Sequence, residues 1–302
     1  MINVAGLHRV VWRVGLTVTV VLCGTLPAAA SDTAEALRER YAAQEPKLHA
    51  SVFDAPIYVE SDDRNGTLRG EIYGVLARPF SLVRTHLQQL SSWCALLTLH
   101  FNIKACTYHN DDGTLQVYSG GKGYENPQKA RQTEFVYMLH AASPEFFHAS
   151  FSSAGGPFDT YDYRLDIQAI PLNGQTFAHV RFSYRYRLFT RMMSATYFAT
   201  LGRNKIGFSA IGTDKSGNPI YVKGRIGAVE RNIMRYYLGL QALFESLTLP
   251  EEQRFEWRLR RWFSLTETYA RQLHELDEEE YLEAKRRERL DMLPQAEARP
   301  AK

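Results

Sequence analysis

The sequence predicts an α+β fold in which a curved antiparallel sheet closes on a long helix. Three features predict it. Ala178, Val180, Phe182, Tyr184, Tyr186 and Leu188 alternate with His179, Arg181, Ser183, Arg185 and Arg187, the period of a strand with one wet and one covered face. Tyr163, Leu165, Ile167 and Ala169 alternate in the same way with Arg164, Asp166 and Gln168, and Asn173-Gly174 between the two runs marks a tight hairpin. Downstream, Ile226, Val229, Ile233, Tyr237, Leu240 and Phe244 form one apolar stripe over about five helical turns, long enough to lie across the covered face.

The remaining elements follow in chain order. Thr33 can cap a helix in which Ala34, Leu37 and Tyr41 share a face, running to about Leu48. Gly70 to Ala77 reads as a short strand closed by Arg78-Pro79. Ser81 then opens a helix whose apolar side is Leu82, Leu87, Leu90, Trp93 and Leu97. Further strands are expected at Leu115–Ser119, Glu134–His140 and Phe147–Phe151. After the long helix, Thr248 with Glu251 forms a capping-box pattern, with Pro250 early in the first turn. Phe255, Leu259, Trp262, Thr266, Tyr269, Leu273 and Leu276 then make a seam at alternating three- and four-residue steps, with Glu256/Arg260 and Glu267/Arg271 paired outside it. Either the preceding domain or another protein must cover that seam. Packing on its own domain is expected through Tyr269, with the Glu278–Arg289 end projecting into solvent and Pro294–Lys302 a loose tail.

Met1–Ala30 has the form of a cleaved signal peptide. His8, Arg9 and Arg13 precede the uncharged run Val14–Leu26, Pro27 breaks it, and Ala28-Ala29-Ala30 offers a small-residue cleavage site. A periplasmic or cell-envelope location is therefore expected, with no membrane span after cleavage. The chain has 36 Lys+Arg against 33 Asp+Glu, and losing Arg9 and Arg13 leaves 34 bases. A nearly neutral protein is not built to bind nucleic acid by charge, and no nucleic-acid partner is expected. Of three cysteines, Cys23 leaves with the leader, and Leu22 before it argues against a lipoprotein site. Cys94 and Cys106 remain as an even pair in an oxidising compartment, read as a structural disulfide. Asn65-Gly66-Thr67 matches a glycosylation triplet and marks an exposed turn.

The order of strand, helix at Ser81–Leu97, antiparallel strands and helix at Arg225–Leu247 resembles the helix-grip fold of the START-like superfamily, also called SRPBCC or polyketide cyclase-like. The resemblance covers about two-thirds of the chain. The stretch from Gly224 to Asn232 looks like what uncharacterised secreted bacterial proteins of this kind carry before their last helix. The chain divides accordingly into a signal peptide (1–30), a lead-in helix (31–56), the grip domain (57–248) and a charged helical extension with its tail (249–302). The resemblance implies a cavity between sheet and helix for a lipid or other apolar molecule.

The candidate ligand-binding residues are Tyr137, Tyr163, Phe182, Tyr184, Tyr186, Met193 and Tyr237. Met192, Met193, Tyr197 and Phe198 read equally as a flap over the cavity or as a short core helix. Arg231 and Arg235 share a helix face with Glu230 and Asn232 nearby, and are candidates for anchoring a carboxylate or phosphate head group. The plainer reading is that they tie the helix to the sheet through Asp162 or Asp166. His140 and His148 flank Ser143-Pro144 and would face each other on adjacent strands, with no third ligand to make a metal site. No GxSxG, HExxH, CxxC or dinucleotide fingerprint occurs after the leader, so no cofactor is expected and no catalytic residue is assigned. Gly224 and Gly227 read as close backbone approach at a helix entry.

The expected function is that of an exported binding protein for a hydrophobic small molecule or lipid. The alternatives are a cyclase or dehydratase-like enzyme on a polyketide-type substrate, with cavity Tyr and His as acid and base, or an envelope assembly protein with a filled core. A protein partner would engage the C-terminal helix.

Overall fold

The computed structural model describes residues 33–51, 53, 55–157, 160–187 and 204–297. Residues 1–32, Leu188, Met192, Met193, Tyr197, Phe198 and residues 298–302 lie outside them. Among the described residues, eight antiparallel strands form one sheet and two more form a separate hairpin. The large sheet comprises β1 (Ile57–Arg64), β2 (Thr67–Leu76), β3 (Ile103–His109), β4 (Thr114–Ser119), β5 (Arg131–Ala142), β6 (Phe147–Gly155), β7 (Thr160–Leu172) and β8 (Gln175–Tyr186), in spatial order 1-2-8-7-6-5-4-3. Between β2 and β3 the chain crosses by α2 (Phe80–Leu87) and α3 (Leu90–Leu97), so the predicted single helix is broken at Gln88-Gln89. The small hairpin is β9 (Ile206–Thr213) with β10 (Pro219–Lys223), and it leads into the 23-residue helix α4 (Gly224–Ser246).

Register follows from the turns. Asn173 and Gly174 both have positive φ, and Leu172 pairs with Gln175 across them, as expected for that two-residue hairpin. Asn65 and Gly66 do the same between β1 and β2. This register puts Ala178, Val180, Phe182, Tyr184 and Tyr186 on the inner face, opposite Gly74, Ile72, Gly70, Leu68 and Thr67's neighbour Gly66 along β2.

α4 lies on that inner face, packed mainly against β1, β2 and β9. Gly74 makes the approach feasible: a Cβ there would sit 2.2 Å from the Tyr237 hydroxyl. Gly227 also faces β9 closely, where a Cβ would meet the Gly207 nitrogen at 3.0 Å, so the expected close approach at the helix entry is present. This arrangement of curved sheet and long helix is a helix-grip fold.

The outer face is less wet than its alternation suggests. Helix α1 (Ala34–His49), capped by the Thr33 hydroxyl accepting from the Ala36 N–H, lays Leu37, Leu48 and Tyr41 on Tyr73, Ile170 and Phe177. His179 and Gln168 are consequently buried.

The C-terminal segment differs from expectation in its course but not in its seam. It is three helices, α5 (Glu251–Glu267), α6 (Ala270–Leu273) and α7 (Glu278–Glu297), and the chain folds back between them. Leu259, Trp262, Thr266 and Leu273 are buried against the grip, and Trp262 donates its indole N–H to the Arg235 carbonyl. The Glu278–Arg289 end does not project into solvent: Tyr281, Leu282, Ala284, Lys285 and Glu288 are buried, covering the edge strand β3. The outer charges serve that docking, since Glu256 binds Arg286 and Arg260 binds Glu278 across helices instead of pairing along α5. The expected capping box does not form; Pro250 holds the cap position and Thr248 donates to the Glu245 carbonyl. None of the described helices is long and apolar enough to cross a membrane.

At the α7 docking site, Glu288 accepts from Lys104 at 2.9 Å and from Lys285 at 2.9 Å, and all three side chains are at most 4% exposed. Both ammonium groups also donate to backbone carbonyls, Lys104 to Phe101 and Gly123, Lys285 to Ile103. Burial draws Lys285 down to about 8 against the pull of Glu288. Removing the shared acid leaves two buried cations uncompensated. Glu288→Ala should therefore cost about 3–5 kcal/mol in denaturant melts, and a loss under about 1 kcal/mol would show that α7 is not held this way.

Cys94 on α3 and Cys106 on β3 are bonded, with Cα atoms 5.1 Å apart. The bridge fastens helix to sheet across a 12-residue separation. Reduction should lower stability by about 3 kcal/mol, and thiol titration of the unfolded, unreduced protein starting at Ser31 should find no free cysteine.

Candidate functional site

Between α3, α4 and the inner face of β4–β8 the described residues enclose a cavity of about 720 Å³. Its deep end is dry: Trp93, Leu96 and Leu240 from the helices meet Leu115, Phe151, Ile167 and Val180 from the strands. Strand periodicity explains the latter set, since Leu115, Phe151, Ile167 and Val180 all belong to the sheet's inward-facing rows. Toward the β4–β5 connection the lining becomes polar, with Ser119, Lys122, Glu125, Lys129, Arg131 and Thr133.

Four of the predicted ligand-binding residues line this space: Tyr163, Phe182, Tyr184 and Tyr237. Tyr163 and Tyr184 stack at 5.2 Å between ring centroids, and the Tyr163 hydroxyl shares a 2.6 Å hydrogen bond with Thr160. Burial raises the Tyr184 and Tyr163 phenols above the ordinary range, so both stay protonated. Tyr237 sits over Gly74 with its hydroxyl buried and, among the described residues, without a hydrogen bond.

Two others do different work. Tyr137 packs on Phe151 but gives its hydroxyl to the Leu87 carbonyl at 3.1 Å, tying β5 to the end of α2 outside the cavity lining. Tyr186 donates to Asp63 at 2.5 Å and lies under Arg225, in a small cluster with Leu68 and Val229. Alternation places both on the correct face of their strands; the helices laid across that face decide which inward residues meet a gap and which meet other groups. Met193 lies outside the described residues.

The proposed head-group anchors are structural. Arg231 donates to the Ile206 carbonyl, and Arg235 donates to the Leu273 carbonyl and to Glu275. They join α4 to β9 and to α6, not to Asp162 or Asp166. Asp162 pairs with Arg164, and Asp166 lies on the opposite face of the sheet against His148. Glu230 has a similar holding role: one oxygen accepts from the Phe208 and Ser209 N–H groups and the other from the Ser61 hydroxyl.

Three more cavity residues are not among the predicted ligand-binding set, although the sequence sets Asn232 beside Arg231 and His100 reads as structural. Tyr236 precedes Tyr237 on α4 and stacks on His100, and burial pushes its phenol to about 12. His100 accepts from the Asn102 N–H through Nδ1, which leaves the hydrogen on Nε2. Burial, with Arg235 and Lys285 nearby, drives its pKa well below the usual value, although Asn232 is close enough to pull the other way. Among the described residues no acceptor lies in hydrogen-bond geometry to Nε2. Asn232 completes this wall. A helical stripe read only for apolar residues passes over Asn232, and nothing in the sequence around His100 distinguishes it.

The outer face holds a second cluster of ionisable groups. His140 and His148 do face each other, with rings stacked at 4.3 Å, but His140 bonds Ser150 and His148 bonds Asp166. Among the described residues no group of three or more metal-ligating side chains is assembled. Beside them, Glu71 on β2 binds His179 at 2.7 Å and Arg181 at 3.2 Å, and Arg40 of α1 reaches the other His179 nitrogen at 2.9 Å. An arginine can only donate, so His179 is neutral there, accepting from Arg40 and donating to Glu71. This is a fastening for α1.

No protein-family model matches the sequence. No curated protein matches it either. Among solved structures, the chain is similar to the protein TTHA0849 from Thermus thermophilus, at 10% identity and TM-score 0.37 over 61% of this chain and 99% of that one. It is also similar to Ara h 8.0201, at 6% identity and TM-score 0.34 over 63% and 99%. A conserved protein of unknown function from Enterococcus faecalis matches at 9% identity and TM-score 0.31, over 74% and 98%. The fold assignment rests on the strand order and the helix of this chain itself.

The outer-face network makes stability depend on acid. Burial would raise the Glu71 carboxyl, but the His179 hydrogen bond and the Arg181 charge outweigh it and bring it down to about 2. A depressed carboxyl stabilises fully above its unfolded value of about 4.3 and loses that contribution as pH falls toward 2. His179 is lowered too, by burial first, so stability is also lost as pH drops below its unfolded value of about 6.5. Glu71→Gln should destabilise the protein at pH 7, and the gap from wild type in urea melts should narrow below pH 4. A gap independent of pH would contradict this.

Proposed function

We propose that this chain is an exported binding protein for a hydrophobic small molecule or lipid, of the START-like kind, and that the molecule sits between the sheet and α4. The cavity carries this reading. About 720 Å³ falls within the range of small-molecule sites, and its walls are mostly aliphatic and aromatic with a few polar groups at one end. A core filled by its own side chains would not leave such a space at the centre of the grip, because interiors pack to near-crystalline density. Export is supported by the form of Met1–Ala30 and by the Cys94–Cys106 bridge, which persists in oxidising compartments.

An apolar fluorescent dye should bind the purified protein, and native mass spectrometry after gentle purification should show co-purified apolar mass. Tyr184→Ala should weaken dye binding while the melting transition stays cooperative. Phe147→Ala, at a fully buried position outside the lining, should instead cost about 3–5 kcal/mol of stability and affect the dye only through unfolding. A protein that takes up no apolar molecule in either measurement would overturn the reading.

A further inference from the structure

The arginines expected to hold a polar head are consumed by backbone carbonyls and Glu275, yet the polar end of the cavity is still cationic. Lys122, Lys129 and Arg131 line it, against one lining acid, Glu125. Glu125 is already committed, accepting from the Gly121 N–H at 2.9 Å. Glu275, just beyond the lining, is shared by Lys122, Lys205 and Arg235. Glu280 lies near Gly123 and does not line the cavity. Lys129 and Arg131 are exposed and form no ion pair among the described residues.

The hydroxyls point the same way. Tyr184 and Tyr236 line the same space, and neither hydroxyl makes a hydrogen bond among the described residues. A phenol hydroxyl that lines an apolar cavity without a protein acceptor is available to donate to a ligand oxygen. Unpaired donors beside unpaired cations are matched by one chemistry, an anionic oxygen.

We propose that the cavity takes an elongated apolar molecule ending in an anionic oxygen group, with the tail at the Trp93–Leu240 end and the head between Lys129, Arg131 and the Tyr184 and Tyr236 hydroxyls. This rests on the reading of the cavity as a ligand site and adds the ligand's chemical class. A free long-chain acid and a phosphate-headed chain both supply such a head.

Displacement of a bound apolar dye by laurate, lauryl alcohol and lauryl phosphate tests it, since the three share one tail. Laurate or lauryl phosphate should compete at about tenfold lower concentration than the alcohol, with the advantage shrinking as salt is added. Whichever anion competes better identifies the head. Lys129→Gln combined with Arg131→Gln, both at exposed positions, should remove most of the advantage and leave the alcohol unchanged. Tyr184→Phe with Tyr236→Phe keeps both rings and should weaken the anions several-fold more than the alcohol. Equal competition by all three in the wild-type protein would overturn the head-group assignment alone, as would an advantage that survives in the Lys129→Gln/Arg131→Gln protein. Failure of any chain to compete or bind would overturn the cavity reading together with it.

Discussion

The approach of α4 to β2 governs the rest of the molecule. Helix and strand come together where β2 has glycine, with Val229 over Gly70 and the Tyr237 hydroxyl over Gly74. A helix seated this closely at one side of a curved sheet cannot also touch the strands at the other side. The sheet bends away through β8, β7 and β6, and α3 with Trp93 meets it from the far end. The volume between is the cavity. A side chain at Gly74 would lift the helix and redistribute that gap, so a backbone feature on β2 sets the shape of a site lined mostly by other strands.

Polar fastenings hold α4 in that seat, and they explain why its charged residues are unavailable for ligand. Glu230 receives two N–H groups from β9 and a hydroxyl from β1, while Arg231 and Arg235 cap the carbonyls of Ile206 and Leu273. These groups are buried, where an unpaired charge is costly, so each must be satisfied by the protein itself. Lys129 and Arg131, by contrast, lie at the rim by the β4–β5 connection, where water solvates them.

The C-terminal helices extend the same scheme. α5 closes over α4 through Trp262, and α7 covers β3, which would otherwise be an open sheet edge. The cover is anchored by Lys104, Glu288 and Lys285, with Tyr281 donating to the Leu99 carbonyl. On the opposite face α1 is fastened through Arg40 to His179 and Gln168. Helices thus cover the inner face, part of the outer face and the β3 edge, while Val136, Met138 and Leu139 on β5 stay exposed.

The sequence by itself determined the periodic parts. Alternation from Tyr163 to Tyr186, positive-φ residues at Asn173-Gly174, the α4 stripe and the 255–276 seam each encode burial locally, and each lies where its period places it. Cysteine parity selected the Cys94–Cys106 pair for a simpler reason: only two cysteines remained to choose from. Tertiary structure alone decided what each inward residue meets. Tyr184 and Tyr186 are two residues apart on one face, yet one lines the cavity and the other binds Asp63 beneath Arg225 of α4. The break at Thr268–Tyr269 and the fold-back of α7 were likewise not legible, since the seam keeps its spacing through the break. Arg231 and Arg235 look like free cations in sequence because the carbonyls that bind them, at Ile206 and Leu273, come from segments 25 and 38 residues away. Periodicity reports which side of an element is dry; distance in the chain hides which partner makes it so.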